Sequence, residues 1–320
     1  MELKPTRDGF GEGLLELGRT NPAVVAVSGD LEDSARAIWF KKEFPNRFFS
    51  VGIAEQDVIG TCAGLAIAGK VAYACSFSQF ITARALDQIR VSVCYQKLNV
   101  KIIGSHGGLS VGADGATAEA LEEFTVMRSL PNMTVVVPCD ALEAKKAAIA
   151  SASYPGPVFL RLGRAPIPII TTPQDSFTIG KANVMRDGAD VAIIACGIMV
   201  NHALQAAEAL AKDGVQARVI NLHTIKPIDR DAVVKAARET GAIVTAEEHT
   251  IVGGLGGAVA EVVVQEQPVP MRFVGVKDRF GTSGDPNDLI KAFGLMPDDL
   301  VRAAKDVVKA KLNKVGAFTR

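Results

Sequence analysis

Residues 48–77 read FFSVGIAEQDVIGTCAGLAIAGKVAYACSF. Two runs of strand length, Phe48 to Val51 and Val71 to Cys75, bracket a longer pattern from Ala54 to Ala68 whose apolar residues recur three and four apart. A strand, a helix and a second strand within about 30 residues make a crossover unit with parallel strands. The helix opens on Glu55 and Gln56, and the rest of it, Val58 to Ala68, is nearly all small and apolar. A carboxylate leading into a helix that reads as buried is uncommon. Glu55 is then either a favourable charge at a helix N-terminus or a carboxyl under an apolar roof that holds or shares a proton.

The same alternation extends outward. Strand patterns at Ala23 to Ser28, Val100 to Ile103, Thr134 to Val137 and Pro157 to Leu162 are separated by helical patterns at Asp8 to Arg19, Phe80 to Tyr95, Ala118 to Leu130 and Ala141 to Ala152, which is the signature of a parallel sheet with helices on both faces. RAPIPIITTPQD follows, where Pro166, Pro168 and Pro173 withhold ladder donors and favour an extended connection. A second alternation has strands near Val191 to Ala195, Ala217 to Asn221, Ala242 to Thr245 and Arg272 to Val276, and a last helix at Asp298 to Leu312. The expected fold is α/β, two doubly wound domains: residues 1–165, a linker at 166–181, and a smaller domain at 182–320.

The 320 residues are 48% hydrophobic and 22% charged, with 35 basic and 35 acidic side chains. At roughly 150 residues per domain that is about two domains, and the balance excludes disordered, collagenous and coiled-coil chains. Zero net charge with no basic run withholds the footprint of nucleic-acid or anionic-membrane binding, so the expected partners are small molecules or proteins. No apolar run approaches the ~20 residues of a membrane helix, and MELKPTRDGF lacks the pattern of a secretory signal; a cytoplasmic location is expected. Cys62, Cys75, Cys94, Cys139 and Cys196 match neither a disulfide framework nor a zinc site and read as reduced core residues.

Polar residues gather at the carboxyl ends of the first domain's strands, where open α/β sheets bind ligands. SGDLEDS places Asp30 and Ser34 there, as ligand contacts or as helix caps. CSFSQF places Phe77 and Phe80, which on spacing alone are core. GSHGGLSVGADGA holds His106 and Asp114 among five glycines, which suits backbone lying close to a ligand. Arg7 and Arg164 suit a phosphate or carboxylate, or are solvated surface arginines. His202 and His223 read as structural. GGLGG (Gly253 to Gly257) lacks dinucleotide-binding spacing and reads as a tight strand-to-helix turn, with His249 just before it.

In their order, VGIAEQ, RALDQIR (Arg84 to Arg90), SHGGLSVGADGA and FTVMRSLPN (Phe124 to Asn132) resemble the C-terminal half of transketolase, its pyrimidine-binding domain plus its C-terminal domain, over essentially the whole chain. The resemblance implies thiamine diphosphate as cofactor, with the protein supplying orientation and electrostatics. It gives Glu55 the central role: its carboxyl bonds a pyrimidine nitrogen and favours the imino form that deprotonates the thiazolium carbon. Phe77 and Phe80 would flank the pyrimidine, and Asp30 would lie near the cofactor and the donor channel. His106 would contact the donor's oxygens and Asp114 a donor hydroxyl, while Arg7, Ser34 and Arg164 would grip a distal phosphate. The implied reaction moves a two-carbon ketol unit from a ketose phosphate to an aldose phosphate.

The chain departs from the family at Thr117, Ala118 and Glu119, where a second His or a Gln is usual, and it has no Gly-Asp-Gly motif followed by Asn to hold a metal on a diphosphate. The resemblance therefore implies the B-type chain of a split transketolase. Its partner would be an N-terminal-half subunit carrying the diphosphate-binding domain and a divalent metal, Mg or Ca, with this chain self-associating as the dimer core of a heterotetramer. The second domain, in which no convergent polar cluster is evident, is expected mainly to enlarge the subunit interface. Rival readings are a transketolase-like enzyme for an unusual sugar, half of a deoxyxylulose-phosphate synthase, a 2-oxo acid dehydrogenase β subunit, and a non-catalytic interaction subunit; His106 favours transketolase over the synthase.

Overall fold

The structure, a computed structural model, describes residues 2–317. Its principal strands are β1 (Val24–Ser28), β2 (Phe48–Ser50), β3 (Val71–Phe77), β4 (Val100–Ser105), β5 (Thr134–Val136), β6 (Val158–Arg161), β7 (Asn183–Arg186), β8 (Val191–Ala195), β9 (Ala217–Asn221), β10 (Thr224–Lys226), β11 (Ile243–Thr250) and β12 (Met271–Val276). The helices that matter below are α1 (Thr6–Thr20), α2 (Glu55–Ile67), α3 (Ser78–Arg84), α4 (Glu123–Ser129), α5 (Ala141–Ser153), α6 (Met199–Lys212), α7 (Arg230–Thr240), α8 (Leu255–Glu266), α9 (Pro286–Ala292) and α10 (Pro297–Ala317).

Among the described residues the two large sheets have the orders β10-β5-β6-β4-β3-β1-β2 and β12-β11-β8-β9-β7, beside one two-stranded pairing. All neighbours in the large sheets are parallel except the edge strands β10 and β7, which run antiparallel. The α/β class and the two doubly wound units are as expected, with two differences. Strand β7 was not anticipated, because it is a half-buried edge strand and carries no apolar run. Strand β10 leaves the second unit to complete the first sheet, pairing Thr224 with Val136.

One face of the first sheet is closed by α1 and α5 over Phe10, Leu14, Tyr73 and Leu160. These helices approach so closely that a Cβ on Gly9 would fall 1.8 Å from the Ala141 carbonyl oxygen. The other face shares one core with the second unit, where Ile102 and Phe159 join the same cluster as Ile194, Ile220 and Val259. Each such aliphatic side chain removed from water contributes about 1.5–3 kcal/mol.

The helical pattern expected at 80–95 is broken. Helix α3 stops at Arg84 because Ala85 leaves helical geometry, and a wider-turned segment, Ile89–Cys94, follows. The pattern expected at 118–130 survives only as α4. Backbone groups at 118–122 are committed elsewhere: Ala120 O accepts from Gly108 N at 2.9 Å, and Leu121 O from Thr250 N at 2.9 Å. The 166–181 connection is pinned rather than free. Ile167 and Pro168 pair with Leu3 and Lys4, and the buried Asp140 carboxylate accepts from Ile170 N (2.8 Å) and Thr171 N (2.6 Å) while capping α5 at Glu143 N (2.8 Å). The last helix runs from Pro297 to Ala317, longer than expected. Among the described residues no helix is long and apolar enough to cross a membrane. All five cysteines are buried and unpaired.

The second unit does contain a convergent polar cluster, contrary to expectation. Glu247, Glu248 and His249 lie consecutively on β11, all buried. Glu247 accepts the N–H groups of Leu255 (2.7 Å) and Gly256 (2.8 Å), so a carboxylate satisfies the N-terminus of α8. His249 Nε2 accepts from Phe124 N at 3.0 Å, and its ring stacks on Phe124 at 4.3 Å. Its Nδ1 faces the Thr250 carbonyl at 2.7 Å, which assigns the proton to Nδ1. Glu248 meets Arg161, which is 4% exposed and also faces Glu123 at 3.3 Å.

The glycine-rich loop lies on this arginine: a Cβ at Gly107 would fall 2.2 Å from Arg161 Nε, and the side chain cannot yield because Glu123 and Glu248 hold it on two sides. Gly107→Ala is expected to cost about 2–4 kcal/mol of stability, read as a fall in the urea midpoint with an unchanged slope; an unchanged midpoint would contradict the packing. His223 is fully buried, stacked on Phe177, and burial lowers its pKa from 6.5 to about 4. The unfolded chain therefore binds a proton that the native chain refuses, and this site's contribution is lost as pH falls from 6.5 toward 4. Between pH 7 and 5, His223→Gln should lose about 2 kcal/mol less stability than the parent, measured by urea unfolding at both pH values; equal losses would contradict the burial.

Candidate functional site

The polar residues singled out in the sequence stand where the first sheet's strands end. Asp30 and Ser34 follow β1, Phe77 ends β3, His106 and Asp114 follow β4, and Arg164 follows β6. Arg7 enters from the first turn of α1, and Glu55 is the first residue of α2.

Glu55 is 5% exposed. Only one face of α2 is buried, through Val58, Ile59, Cys62 and Ala63, while Gln56, Asp57, Gly60 and Gly64 face outward. The carboxylate is met by Arg84 at 3.1 and 3.2 Å to its two oxygens. Arg84 lies at the end of α3, one turn after Phe80, and its guanidinium covers the Phe80 ring at 4.3 Å.

From Arg84 a continuous row runs across the strand ends. Phe80 stacks on Phe77 at 5.3 Å, Phe77 on the His106 ring at 3.9 Å, and Arg7 Nη1 stands 3.4 Å from His106 Nε2. The Phe77 and Phe80 centroids, 5.3 Å apart, leave no room for a third flat ring between them, since that needs two contacts of roughly 3.5 Å each.

His106 is buried with φ +57°. Since Arg7 brings only N–H groups, Nε2 must offer its lone pair, which assigns the proton to Nδ1, 2.9 Å from Ser105 Oγ. Burial first, then the charges of Arg7, Arg164 and Arg36, lower its pKa to about 3. The ring is therefore neutral at neutral pH, an acceptor at Nε2.

Arg7 Nη1 also donates to the Ser34 carbonyl at 3.1 Å, so Ser34 contributes through its backbone, and Arg7 Nε is buried without a hydrogen-bond partner. Arg164 pairs with Asp114 at 2.9 Å and donates to the Val111 carbonyl at 3.2 Å. Asp30 is exposed at φ +64°, and among the described residues no hydrogen bond ties it to the others. In the departing segment Thr117 is exposed, whereas Ala118 and Glu119 are buried. The Glu119 carboxyl lies against Gly281 of the second unit, with burial raising its pKa to about 7.

Three participants escaped the sequence reading. Arg84 stood inside a quoted motif, four residues after Phe80, a spacing that puts both on one helical face. Arg36 adds a third positive charge near His106 and is held by Asp8 at 2.6 Å. Arg161 was visible only as a charge inside the apolar run VFLRL.

Comparisons with known proteins give the family. Residues 3–168 match the transketolase pyrimidine-binding domain and residues 180–300 the transketolase C-terminal domain. The chain is 43% identical over 305 residues to a 6-deoxy-6-sulfo-D-fructose transketolase subunit of Clostridium sp., covering 95% of each. It is 42% identical to an apulose-4-phosphate transketolase subunit of Phocaeicola vulgatus, covering 95% of this chain and 97% of that one. A solved structure described as a split gene transketolase, an inactive beta4 tetramer, superimposes with a TM-score of 0.90 at 45% identity, over 96% of this chain and 99% of that one. These relatives favour transketolase over the synthase and dehydrogenase readings. The chain belongs to the transketolase family, as a subunit of the split type.

Proposed function

We propose that this chain is the pyrimidine-binding subunit of a two-chain transketolase, moving a two-carbon ketol unit from a ketose phosphate to an aldose phosphate. The observation that carries the reading is the setting of Glu55. A buried carboxylate begins a helix whose outer face is open: Gly60 and Gly64 have nothing within 4 Å of an added Cβ, and Ile53 and Ile67 are 76% and 68% exposed. An apolar face beside a buried charge suits cover by another polypeptide. The relatives are themselves named subunits, and the sequence holds no Gly-Asp-Gly followed by Asn. The missing counterpart is thus an N-terminal-half subunit bearing the diphosphate and its divalent metal, with this chain self-associating at the core of a heterotetramer.

The residues present fit the pyrimidine half of thiamine diphosphate: a buried carboxylate stands next to the joint aromatic surface of Phe77 and Phe80. When bound, that cofactor supplies the carbon nucleophile. Glu55 is the group that would hold the proton at a pyrimidine nitrogen, and that nitrogen would take the place at the carboxylate that Arg84 now fills. Phe77 orients by contact and fixes the His106 ring by stacking. His106, neutral with its lone pair at Nε2, would accept from a donor hydroxyl. Asp114 would read a second hydroxyl once Arg164 turns to the donor's anionic end, and the unpartnered Arg7 Nε suits that same anion. Asp30 and Ser34 border the channel.

The anion need not be phosphate. One relative is named for a sulfosugar, and here Ala118 and Glu119 replace the family's usual His or Gln, with Glu119 turned into the domain boundary. An unusual anionic sugar as donor is the second reading.

Glu55→Gln tests the proposal in the assembled complex. Ketol transfer should fall by roughly a thousandfold or more, while native mass measurements show assembly intact. Unchanged transfer would favour a non-catalytic role for the chain.

A further inference from the structure

The second unit meets the glycine-rich loop at several points, Gly284 N donating to Gly112 O at 3.4 Å among them, and the one nearest His106 in the chain is made by a side chain. Along β11 successive residues alternate faces, and Glu247 and His249 are spent on α8 and α4 as described. Glu248, between them, faces the other way. Its Oε1 accepts the N–H of Ser110 at 2.6 Å, and its Oε2 lies 3.0 Å from Arg161 Nη2, which also donates to the Glu248 carbonyl at 3.2 Å. A Cβ on Gly108 would fall 2.1 Å from Arg161 Nη2 and 2.3 Å from Glu248 Cδ, so the loop lies directly on this pair.

His106 is part of that same loop. Gly107 N donates to Leu162 O at 3.0 Å and Gly108 N to Ala120 O at 2.9 Å, and the next tie is the Ser110–Glu248 bond. His106 itself holds φ +57°, a left-handed conformation that is strained for a non-glycine residue and persists only where its surroundings enforce it. The ties on the two glycines and Ser110 are that enforcement, and Glu248 is the one that crosses from the other unit.

We propose that Glu248 is a positioning residue for His106: from the second unit it fixes the turn after His106, so that the ring keeps its stack on Phe77 and its Nε2 toward Arg7. The inference rests on the reading of His106 given above and gives the second unit a part in the active site beyond enlarging an interface. A strut that merely filled space would not need a carboxylate with one oxygen committed to a loop N–H and the other to Arg161.

The test uses the two-chain complex, with Glu248→Gln, His106→Ala and the double variant. The chain has four histidines, so the His106 ring signal is assigned by its disappearance in His106→Ala. Glu248→Gln should move that signal while His202 and His223 stay in place, and should lower kcat roughly tenfold or more with KM changed about threefold at most. In the His106→Ala background it should lower kcat by no more than about twofold further. An unmoved His106 signal, or losses that multiply, would overturn the proposal. Full turnover by His106→Ala would instead strike the role given to His106, and the ring signal would then decide the positioning by itself. Should Glu248→Gln fail to assemble, Glu248→Asp keeps the charge facing Arg161, withdraws the carboxyl from Ser110, and is read by the same measurements.

Discussion

Arg161 carries a positive charge into the boundary between the two units, and much of the structure is arranged around keeping it there. A guanidinium taken out of water costs several kcal/mol unless carboxylates and carbonyls replace the lost solvent. Here the Glu248 carboxylate and carbonyl, both from the second unit, and the Glu123 carboxyl oxygen accept from it. Burial outweighs the Arg161 charge at Glu123, whose pKa is pushed up to about 8, while the surrounding carboxylates hold Arg161 firmly protonated. Removing one partner from such a cluster typically costs about 3–5 kcal/mol. The glycine-rich loop lies on the arginine, so the position of His106 inherits that rigidity.

At the other end of the row, Glu55 is satisfied differently. Its partner Arg84 is half exposed, at 51%, and the helix face around it is open. The contrast separates two kinds of charge in one site: Arg161 is locked by the fold, while the Glu55–Arg84 pair sits on a surface that another chain or a ligand can rearrange. On the proposed function, the donor-binding end of the half-site is the finished one and the cofactor end the open one. That matches a subunit whose chemistry depends on a second polypeptide.

Much of the fold was legible in the sequence because β1, β3, β4, β6, β8 and β9 are buried almost throughout and read as near-continuous apolar runs. Strand β7, half-buried at an edge, gave no such run. The 118–130 segment misled because Leu121, Phe124, Met127 and Leu130 keep helical spacing while the backbone before Glu123 is spent on the loop and on β11. In the site, the residue clusters pointed to His106 and Glu55 and the family resemblance to Phe77 and Phe80, but spacing could not supply the Arg84 contact or the stack that joins them. Arg161 and Glu248 were hidden for a different reason. They are 87 residues apart in the chain; Arg161 by itself looks like an isolated charge in an apolar strand, and Glu248 like one member of the polar run Glu247 to His249. Only the packing of one unit against the other pairs them.

The central claim is that this chain forms half of a thiamine diphosphate site. Equilibrium binding of thiamine diphosphate with magnesium, measured calorimetrically on this chain alone, on its partner alone and on their mixture, tests it most directly. The account predicts tight binding, with ketol transfer, only in the mixture. Binding by this chain alone as tight as in the mixture would contradict it.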